Sequence, residues 1–514
     1  MRNLVDRALK SACVVLVAGL AACAPRLASE PVHTGSVAAQ IRADLAADTS
    51  LSVRPLDVHD AVARTLIHNQ ELRSERLARL LAEADAGLAT AEMLPEVVAS
   101  SQVYARSNVA ATSSASAAAP TVRGGYAVGS ERVSRSRDLS MSWNVLDFGV
   151  SYFRARQAAH KAQIAAEQQR RTTAVLIEET RVAFWQALAL QRLDAGLTRL
   201  DGEMARAIAD AGRLRAAGLT DPVEALSSER DLLSVRRELD QQRKGLVGAD
   251  LRLRALMNFP ETAPLVLVDR PAPTIPAVGR ASFGSIAEAV LVNRPEIRQA
   301  ALEQRITAEE ARIALLELVP NLQLVLGDQL DQNPFLLNQG WVSLASRASW
   351  QIVKLLQYPA KSQVIAGQGD LARQRTRALA IAVILQAEVA LARLDQVQRE
   401  HRTLVDLARV QRRLATQVEI QSHVGRSGAQ VATLERMNAL LAEARRDAVA
   451  GEVQGAHAAV LTSFGFDLAD ADVASGRSVD EVAAGLRAAE AAAFGRAAGA
   501  VRIAGVAPGA EGRR

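Results

Sequence analysis

The chain has few aromatic residues, few cysteines and no long apolar run. Aromatic side chains make up 3% of its 514 residues, whereas apolar residues reach 49%. This imbalance is typical of long helices that pack through small side chains, and it argues against aromatic-rich globular cores. Two cysteines are too few for a disulfide framework or a four-ligand metal site. No apolar run reaches the roughly 18 residues of a membrane-spanning helix, so residence in a membrane would require a lipid or β-strands.

An excess of charge of one sign is also missing. The 61 Lys and Arg residues nearly balance the 56 Asp and Glu residues, and such a mixed surface argues against a nucleic-acid partner. The histidines show no metal-binding spacing, and neither a phosphate-binding loop nor a nucleophile-elbow motif occurs. Asp328 and Asp331 suggest calcium only weakly, because a surface hairpin turn explains them better. We therefore predict no enzymatic activity, no metal and no cofactor.

Residues 1–22 have the features of a secretory signal. A basic start precedes a short apolar stretch with small residues at its end, which is too short to remain as a membrane span. The last residues, LAAC, resemble a bacterial lipobox, in which Cys23 would be acylated and become the first residue. Ala24 in place of aspartate then implies sorting to the outer membrane. The alternative is an ordinary signal that is cleaved after Ala22 and leaves Cys23 as a free thiol.

The body of the chain is an internal duplication. Two pairs of landmarks recur at identical spacings, which chance explains poorly. They are a 24-residue interval from glutamate to proline (Glu71 to Pro95, Glu296 to Pro320) and a 75-residue interval from tryptophan to glycine (Trp143 to Gly218, Trp350 to Gly425).

Each half is predicted to contain a helix, two strands, a long helix, a turn and a final helix. Between the halves, several prolines indicate an extended linker. The predicted organisation is a signal peptide at 1–22, a lipidated linker at 23–55, a first repeat at 56–259 (helix 57–93, strands 96–147, long helix 150–217, helix 222–257), a Pro-rich linker at 260–284, a second repeat at 285–466 (helix 285–319, strands 321–353, long helix 360–424, helix 429–464), and an Ala/Gly-rich tail at 467–514. We expect a weak helix followed by disorder in the tail.

The long helices show heptad spacing, which predicts coiled-coil packing. A helix lying on a globular core is the alternative, but about 66 residues at 1.5 Å each extend roughly 100 Å, too far for a compact domain. The apolar positions of the first helix are Leu190, Leu193, Leu197, Leu200, Met204, Ala207, Ala211 and Leu214. The equivalent positions of the second are Val397, Glu400, Leu404, Leu407, Gln411, Leu414 and Val418.

The strand segments alternate apolar and polar residues with a period of two. Their apolar set, predicted to face lipid, is Leu139, Met141, Trp143, Leu322, Leu324, Leu344 and Trp350. A transmembrane β-barrel requires this alternation, but a soluble antiparallel sheet also has it. Aromatic residues clustered near the strand ends favour the membrane. Four strands cannot close a barrel, because open edges in lipid leave backbone groups unpaired, so oligomerisation must complete the sheet.

Several ordered features resemble the TolC-type outer-membrane efflux channel family. They are DAVARTLIHNQEL with Pro95 ending its helix, SMSWNVLDFG before the first long helix, and AVLVNRPEI with Pro320, within about residues 56–466. The resemblance implies a mainly α protein with a small membrane β-barrel, in which long coiled-coil helices form a periplasmic α-barrel. It further implies a homotrimer in which each protomer gives four strands to one shared β-barrel. The implied partners are an inner-membrane transporter and a periplasmic adaptor protein, and the lipidated N-terminus is similar to the drug-efflux branch.

The chain departs from this family at two places. Asp147-Phe148-Gly149 has no counterpart in the second half, where LLQYPAKSQV (355–364) stands. The periplasmic tip turns are also shortened, and the stretch 429–434 lacks the aspartates with which some members close the pore. The first tip instead carries acidic residues. Our candidate tip residues are Gly218, Asp221, Glu224 and Gly425.

These features together predict a passive exit duct in the bacterial outer membrane, within a tripartite efflux or type I secretion system. One alternative is a coiled-coil structural lipoprotein with no pore, which would not need alternating strands with aromatic ends. The other is a periplasmic adaptor, which carries one helical hairpin where this chain has two hairpin pairs.

Overall fold

The computed structural model describes residues 34–47, 54–113, 115–116, 119–218, 221–260, 263–269, 283–424, 426, 428–466 and 477–490. Cys23, Gly425 and most of the two predicted linkers lie outside the described residues. The chain divides into two compact units. The sheet unit comprises Met1–Ala47, Gly87–Arg156 and Glu309–Ile365, and the helical unit comprises Asp48–Ala86, Gln157–Ala308 and Ala366–Arg514.

Helices make up most of the described chain, and none of them is long and apolar enough to cross a membrane. The helices are α1 Thr34–Ala47, α2 Val58–His68, α3 Gln70–Ala91, α4 Val145–Ala216, α5 Pro222–Leu256, α6 Phe283–Asn293, α7 Pro295–Leu316, α8 Val353–His423, α9 Ala429–Phe464 and α10, residues 479–490. The strands are β1 Glu96–Ala105, β2 Ala110–Thr112, β3 Ala115–Ser116, β4 Ala119–Arg123, β5 Ala127–Ser130, β6 Val133–Asn144, β7 Asn321–Asp331 and β8 Gly340–Ser349.

The helix before each pair of strands is divided in two, where the sequence predicts one continuous helix. In the first repeat the break is at Asn69, whose extended backbone ends α2 and whose Oδ1 accepts a hydrogen bond from the Leu72 backbone N–H at 3.1 Å. In the second repeat α6 ends at Asn293, and Pro295 begins α7. Proline disfavours helical backbone in the residue before it but is well tolerated in a first helical turn.

Four long strands form one antiparallel sheet in the order β1-β6-β7-β8. The register places Val97, Met141, Leu326 and Leu344 directly opposite one another across all four strands. Two strands of this sheet come from each repeat, and β6 pairs with β7 at the centre. Between β1 and β6 the chain forms the short ladders β2–β5 and β3–β4.

The helical unit contains separate apolar cores, and the two repeats contribute to them in parallel ways. One core joins α2, the middle of α4 and the end of α5, and another joins α6, α8 and the end of α9. Farther toward the C-terminal end of α4, a third core contains Leu190, Leu193 and Leu197. Helix α5 meets these cores with leucines at heptad spacing: Leu232, Leu239, Leu246 and Leu253. The α4 leucines in this core are positions that the heptad pattern predicted, and they pack with the α5 leucines as in a coiled coil.

The heptad positions predicted for α8 are only partly packed over its second half, where Leu404, Gln411 and Val418 are half-buried. Leu407 and Leu414 are each 44% exposed, whereas Ala408 and Ala415 are buried. Because this helix carries apolar residues on more than one face, its sequence offers two seams, and the small alanines occupy the closely packed one.

The part of the tail that the structure describes is a well-packed helix. Val482, Ala483 and Leu486 of α10 are buried in the same core as Val62 and Phe184. The composition of the tail predicted only a weak helix here. Packing against helices that are distant in sequence stabilises it, since short helices gain most of their stability from an apolar face.

Candidate functional site

The candidate site is the four-stranded sheet, whose two faces differ in chemistry. Along β6 the side chains alternate between exposed and half-buried. The exposed positions include Leu139, Met141 and Trp143, whereas the half-buried ones include Ser140 and Ser142. A sheet packed for water would bury its apolar face and expose its polar face. This strand has the opposite arrangement.

The other strands extend the same apolar face. Leu322 and Leu344 are 41% and 77% exposed, and Trp350, just after β8, is 52% exposed. Leu324 is half-buried and lies opposite Trp143 on one side and Ser346 on the other. We define the apolar face as Leu139, Met141, Trp143, Leu322, Leu324, Leu326, Leu344 and Trp350. All seven residues predicted to face lipid belong to it, together with Leu326.

The opposite face of the sheet is polar. Gln323 lies opposite Asn144 and Arg347. A Cβ atom added at Gly327 would lie 3.2 Å from the Ser343 Oγ and 3.6 Å from the Asp138 Oδ1, so a glycine allows these polar side chains to approach the backbone closely. The polar composition of this face is suited to contact with water.

Aromatic residues mark the end of the apolar face at which the strands meet the helices. Trp143 contacts Phe148 edge-to-face, with 5.9 Å between the ring centroids. The Trp350 Nε1–H donates a hydrogen bond to the Leu318 carbonyl oxygen at 3.0 Å. An amphipathic ring with its polar atom satisfied is the arrangement found in membrane-interface belts.

The outer strands of the sheet leave unpaired backbone edges. Among the described strands, β1 pairs only with β6 and β8 pairs only with β7. An open edge of about ten residues is a template for pairing with another chain. The edges therefore point to a partner strand on each side.

The helix tip between α4 and α5 contains three of the candidate tip residues, Gly218, Asp221 and Glu224. Gly218 has a φ of +66°, which glycine adopts without a steric cost, and it follows the end of α4. The Asp221 carboxylate accepts a hydrogen bond from the Val223 backbone N–H at 2.8 Å and caps α5, whose first residue is Pro222. Glu224 is exposed one turn later, where a negative charge favours the helix N-terminus.

The second tip lacks the side-chain helix cap of the first. Gly425 lies outside the described residues, and Gly428 caps α9 without a side-chain hydrogen bond. Residues 428–434 contain no acidic side chain, so Asp221 and Glu224 have no counterpart there.

A buried ion cluster, which the sequence did not reveal, holds α10 in place. Glu490 accepts a hydrogen bond from the His59 ring at 2.7 Å and forms an ion pair with Arg181, also at 2.7 Å. Burial opposes the charge of Glu490, but the His59 hydrogen bond and the Arg181 charge outweigh burial and lower its pKa to about 2. Nearby, burial and the Arg181 charge lower the pKa of His457 to about 4. Glu490 lies in an alanine-rich stretch, with no pattern to signal its partner.

Solved structures that are similar to this chain include several outer-membrane channels. The outer-membrane channel OprN is similar over 79% of this chain and 89% of its own, with 19% identity and a TM-score of 0.61. The CmeC outer membrane channel of Campylobacter jejuni is similar over 79% and 85%, with 13% identity and a TM-score of 0.62. The open state of the MtrE outer membrane channel of Neisseria gonorrhoeae is similar over 81% and 94%, with 16% identity and a TM-score of 0.56.

No protein-family model matches the sequence, and a search of curated proteins gives no match either. The likeness is therefore one of fold, at sequence identities of 11–19%. It extends over both repeats and confirms, for the fold, the resemblance that the sequence motifs suggested. This chain has the fold of the TolC-type outer-membrane efflux channels.

Proposed function

We propose that the protein is a passive exit duct in the bacterial outer membrane. The exposed apolar face of the sheet carries this proposal, because leucine, methionine and tryptophan side chains at 38–77% exposure gain free energy only when something apolar covers them. Lipid is a suitable cover, since the reverse face is polar and a membrane barrel alternates apolar-out with polar-in.

Barrel closure requires further copies of the chain. In hydrocarbon each unpaired backbone group costs several kcal/mol, and β1 and β8 are both open edges. Pairing of β8 in one protomer with β1 in the next would satisfy both edges in a closed ring. A homotrimer with four strands from each protomer is the assembly that the family resemblance implies.

The long helices would then form an α-barrel that extends into the periplasm. Helix α4 contains 72 residues and α8 contains 71, so each is about 105 Å long at 1.5 Å per residue. By the same resemblance, the tips would dock to a periplasmic adaptor and an inner-membrane transporter, which would supply the energy. Three copies of Asp221 and Glu224 would make the tip entrance acidic and favour cations there.

Release of a trapped dye from vesicles tests the proposal. Purified full-length protein is reconstituted into phosphatidylcholine vesicles that contain a small cationic dye and a large labelled dextran. A duct releases the dye and retains the dextran, because the pore admits only small solutes. A coiled-coil spacer on the vesicle surface retains both. Retention of the dye at all protein densities would contradict the proposed function.

The lipid anchor is a separate part of the proposal. If Cys23 is acylated, Cys23→Ser should abolish incorporation of a fatty-acid analogue and increase the amount of unprocessed precursor. Labelling is measured after immunoprecipitation from cells, with Cys13→Ser as the matched control, because residue 13 lies within the predicted signal. Equal labelling of wild type and Cys23→Ser would show that this cysteine is not the anchor.

A further inference from the structure

The apolar face has different residue types at its two ends. Where the strands meet the helices it ends in Trp143 and Trp350. Toward the other end of β6 it continues past Leu139 into Arg137 and Arg135, both exposed. Because side chains two residues apart in a strand point to the same face, the two arginines share the face of Leu139.

The strands beside these arginines contribute no acid directly opposite them. Arg137 lies opposite Ser101 on β1 and Leu330 on β7, and Arg135 lies opposite Val103. The nearest carboxylate on this face is Asp328, which lies opposite Leu139. Among the described residues, neither guanidinium forms an ion pair. The residues that the strand pairing places directly opposite the two arginines are thus Ser101, Val103 and Leu330.

Their position on the strand places them in the far part of a bilayer. The arginines are six and eight residues from Trp143, or about 20–27 Å along a strand at ~3.4 Å per residue. At the ~35–45° tilt of barrel strands this length rises about 15–22 Å along the membrane normal, and the apolar band is ~25 Å tall. If the tryptophans lie at one membrane interface, the backbones of Arg137 and Arg135 lie within about 10 Å of the other, and their long side chains can extend toward its headgroups.

We propose that Arg135 and Arg137 bind the phosphate monoester of a lipid headgroup in the leaflet remote from the helices. The planar guanidinium can donate two parallel hydrogen bonds to a phosphate, which a lysine ammonium cannot do. Leu139 lies on the helix side of Arg137 and Leu330 lies directly opposite it, so acyl chains below the headgroup would contact both leucines. A lipid is therefore preferred to free phosphate. This inference rests on the proposed function, because it requires the apolar face to lie in a membrane.

Lipid retention by the purified protein tests the inference. Full-length protein in detergent is incubated with equimolar lipid A and phosphatidylcholine, separated by gel filtration, and its bound lipids are quantified by mass spectrometry. Wild type should retain lipid A at least fivefold over phosphatidylcholine. Arg135→Gln with Arg137→Gln should bring that ratio close to one, and Arg135→Lys with Arg137→Lys should keep part of the preference.

Arg347→Gln is the matched control, because it removes an exposed arginine from the polar face of the same sheet. Its lipid A ratio should equal that of wild type, and 10 mM inorganic phosphate should not displace the lipid. An unchanged ratio in the Gln double variant, an equal loss in Arg347→Gln, or displacement by phosphate would overturn the inference. The dye-release assay distinguishes the two proposals, since a double variant that loses lipid A but still releases dye leaves the duct intact.

Discussion

Glu490 connects α10 to His59 of α2 and to Arg181 of α4. Both of its carboxylate oxygens face positively charged or hydrogen-bonding partners, and its side chain is only 3% exposed. A buried ion pair adds little net stability, but removal of one partner leaves the other charge uncompensated. Arg181, with a side chain 5% exposed, would be that uncompensated charge.

Glu490→Gln should therefore lower the stability of the helical unit by about 3–5 kcal/mol, measured as a fall in the melting temperature at pH 7. Glu83→Gln is the control, because Glu83 forms an exposed helical pair with Arg79 that is worth below ~1 kcal/mol. Equal effects of the two substitutions would show that the buried cluster does not hold α10.

The same cluster predicts how wild-type stability changes with pH. The pKa of Glu490 falls from 4.5 to about 2 on folding, so its stabilisation is present above pH 4.5 and is lost as the pH falls toward 2. The pKa of His457 falls from 6.5 to about 4, so the folded state loses stability as the pH falls from 6.5 to 4. Both groups lower the stability as the pH falls. Glu490→Gln should remove the more acidic part of the dependence and extend the His457 part to lower pH, because the Glu490 charge raises the pKa of His457.

At the scale of elements, the sequence predicted most of what depends on a local pattern. The two long helices, the alternating strands and the capped tip at Asp221 each follow from periodicity or from one capping residue. The breaks at Asn69 and Arg294 and the seam of α8 were missed. Their positions depend on tertiary contacts, which a short window of sequence does not contain.

The end of α9 shows how one such contact constrains a residue. Gly465 has a φ of +70°, and a Cβ atom there would lie 2.7 Å from the Asn293 carbonyl carbon. Gly465→Ala should therefore destabilise the protein by more than about 1 kcal/mol, through both strain and backbone overlap.

Gly245→Ala is the matched control in α5. A Cβ atom at Gly245 meets nothing within 4 Å, so alanine should stabilise this helix by about 0.5–1 kcal/mol. Thermal unfolding of the two variants should give melting temperatures on opposite sides of wild type. Shifts of the same sign would mean that the α9 cap does not form as described.

At the scale of the whole molecule, the duplication was the most informative feature of the sequence. Equal spacings in both halves predicted paired helices and paired strands, and the sheet indeed takes two long strands from each half. In one chain β1 and β8 each pair on one side only, so the proposed closure of the sheet depends on further copies of the chain. The central claim is that the polar face lines a water-filled pore while the apolar face meets lipid.

Ion currents through planar bilayers test this claim with two neighbouring residues. Gln323 lies on the polar face and Leu324 on the apolar face. Gln323→Arg should assemble normally and shift the selectivity of the pore toward anions, because its charge would enter the lumen. Leu324→Arg should reduce the heat-resistant trimer and the number of channels, since a charge at mid-bilayer costs about 2–4 kcal/mol in each copy. The account is contradicted if wild type carries no current, or if the two substitutions have the same effect.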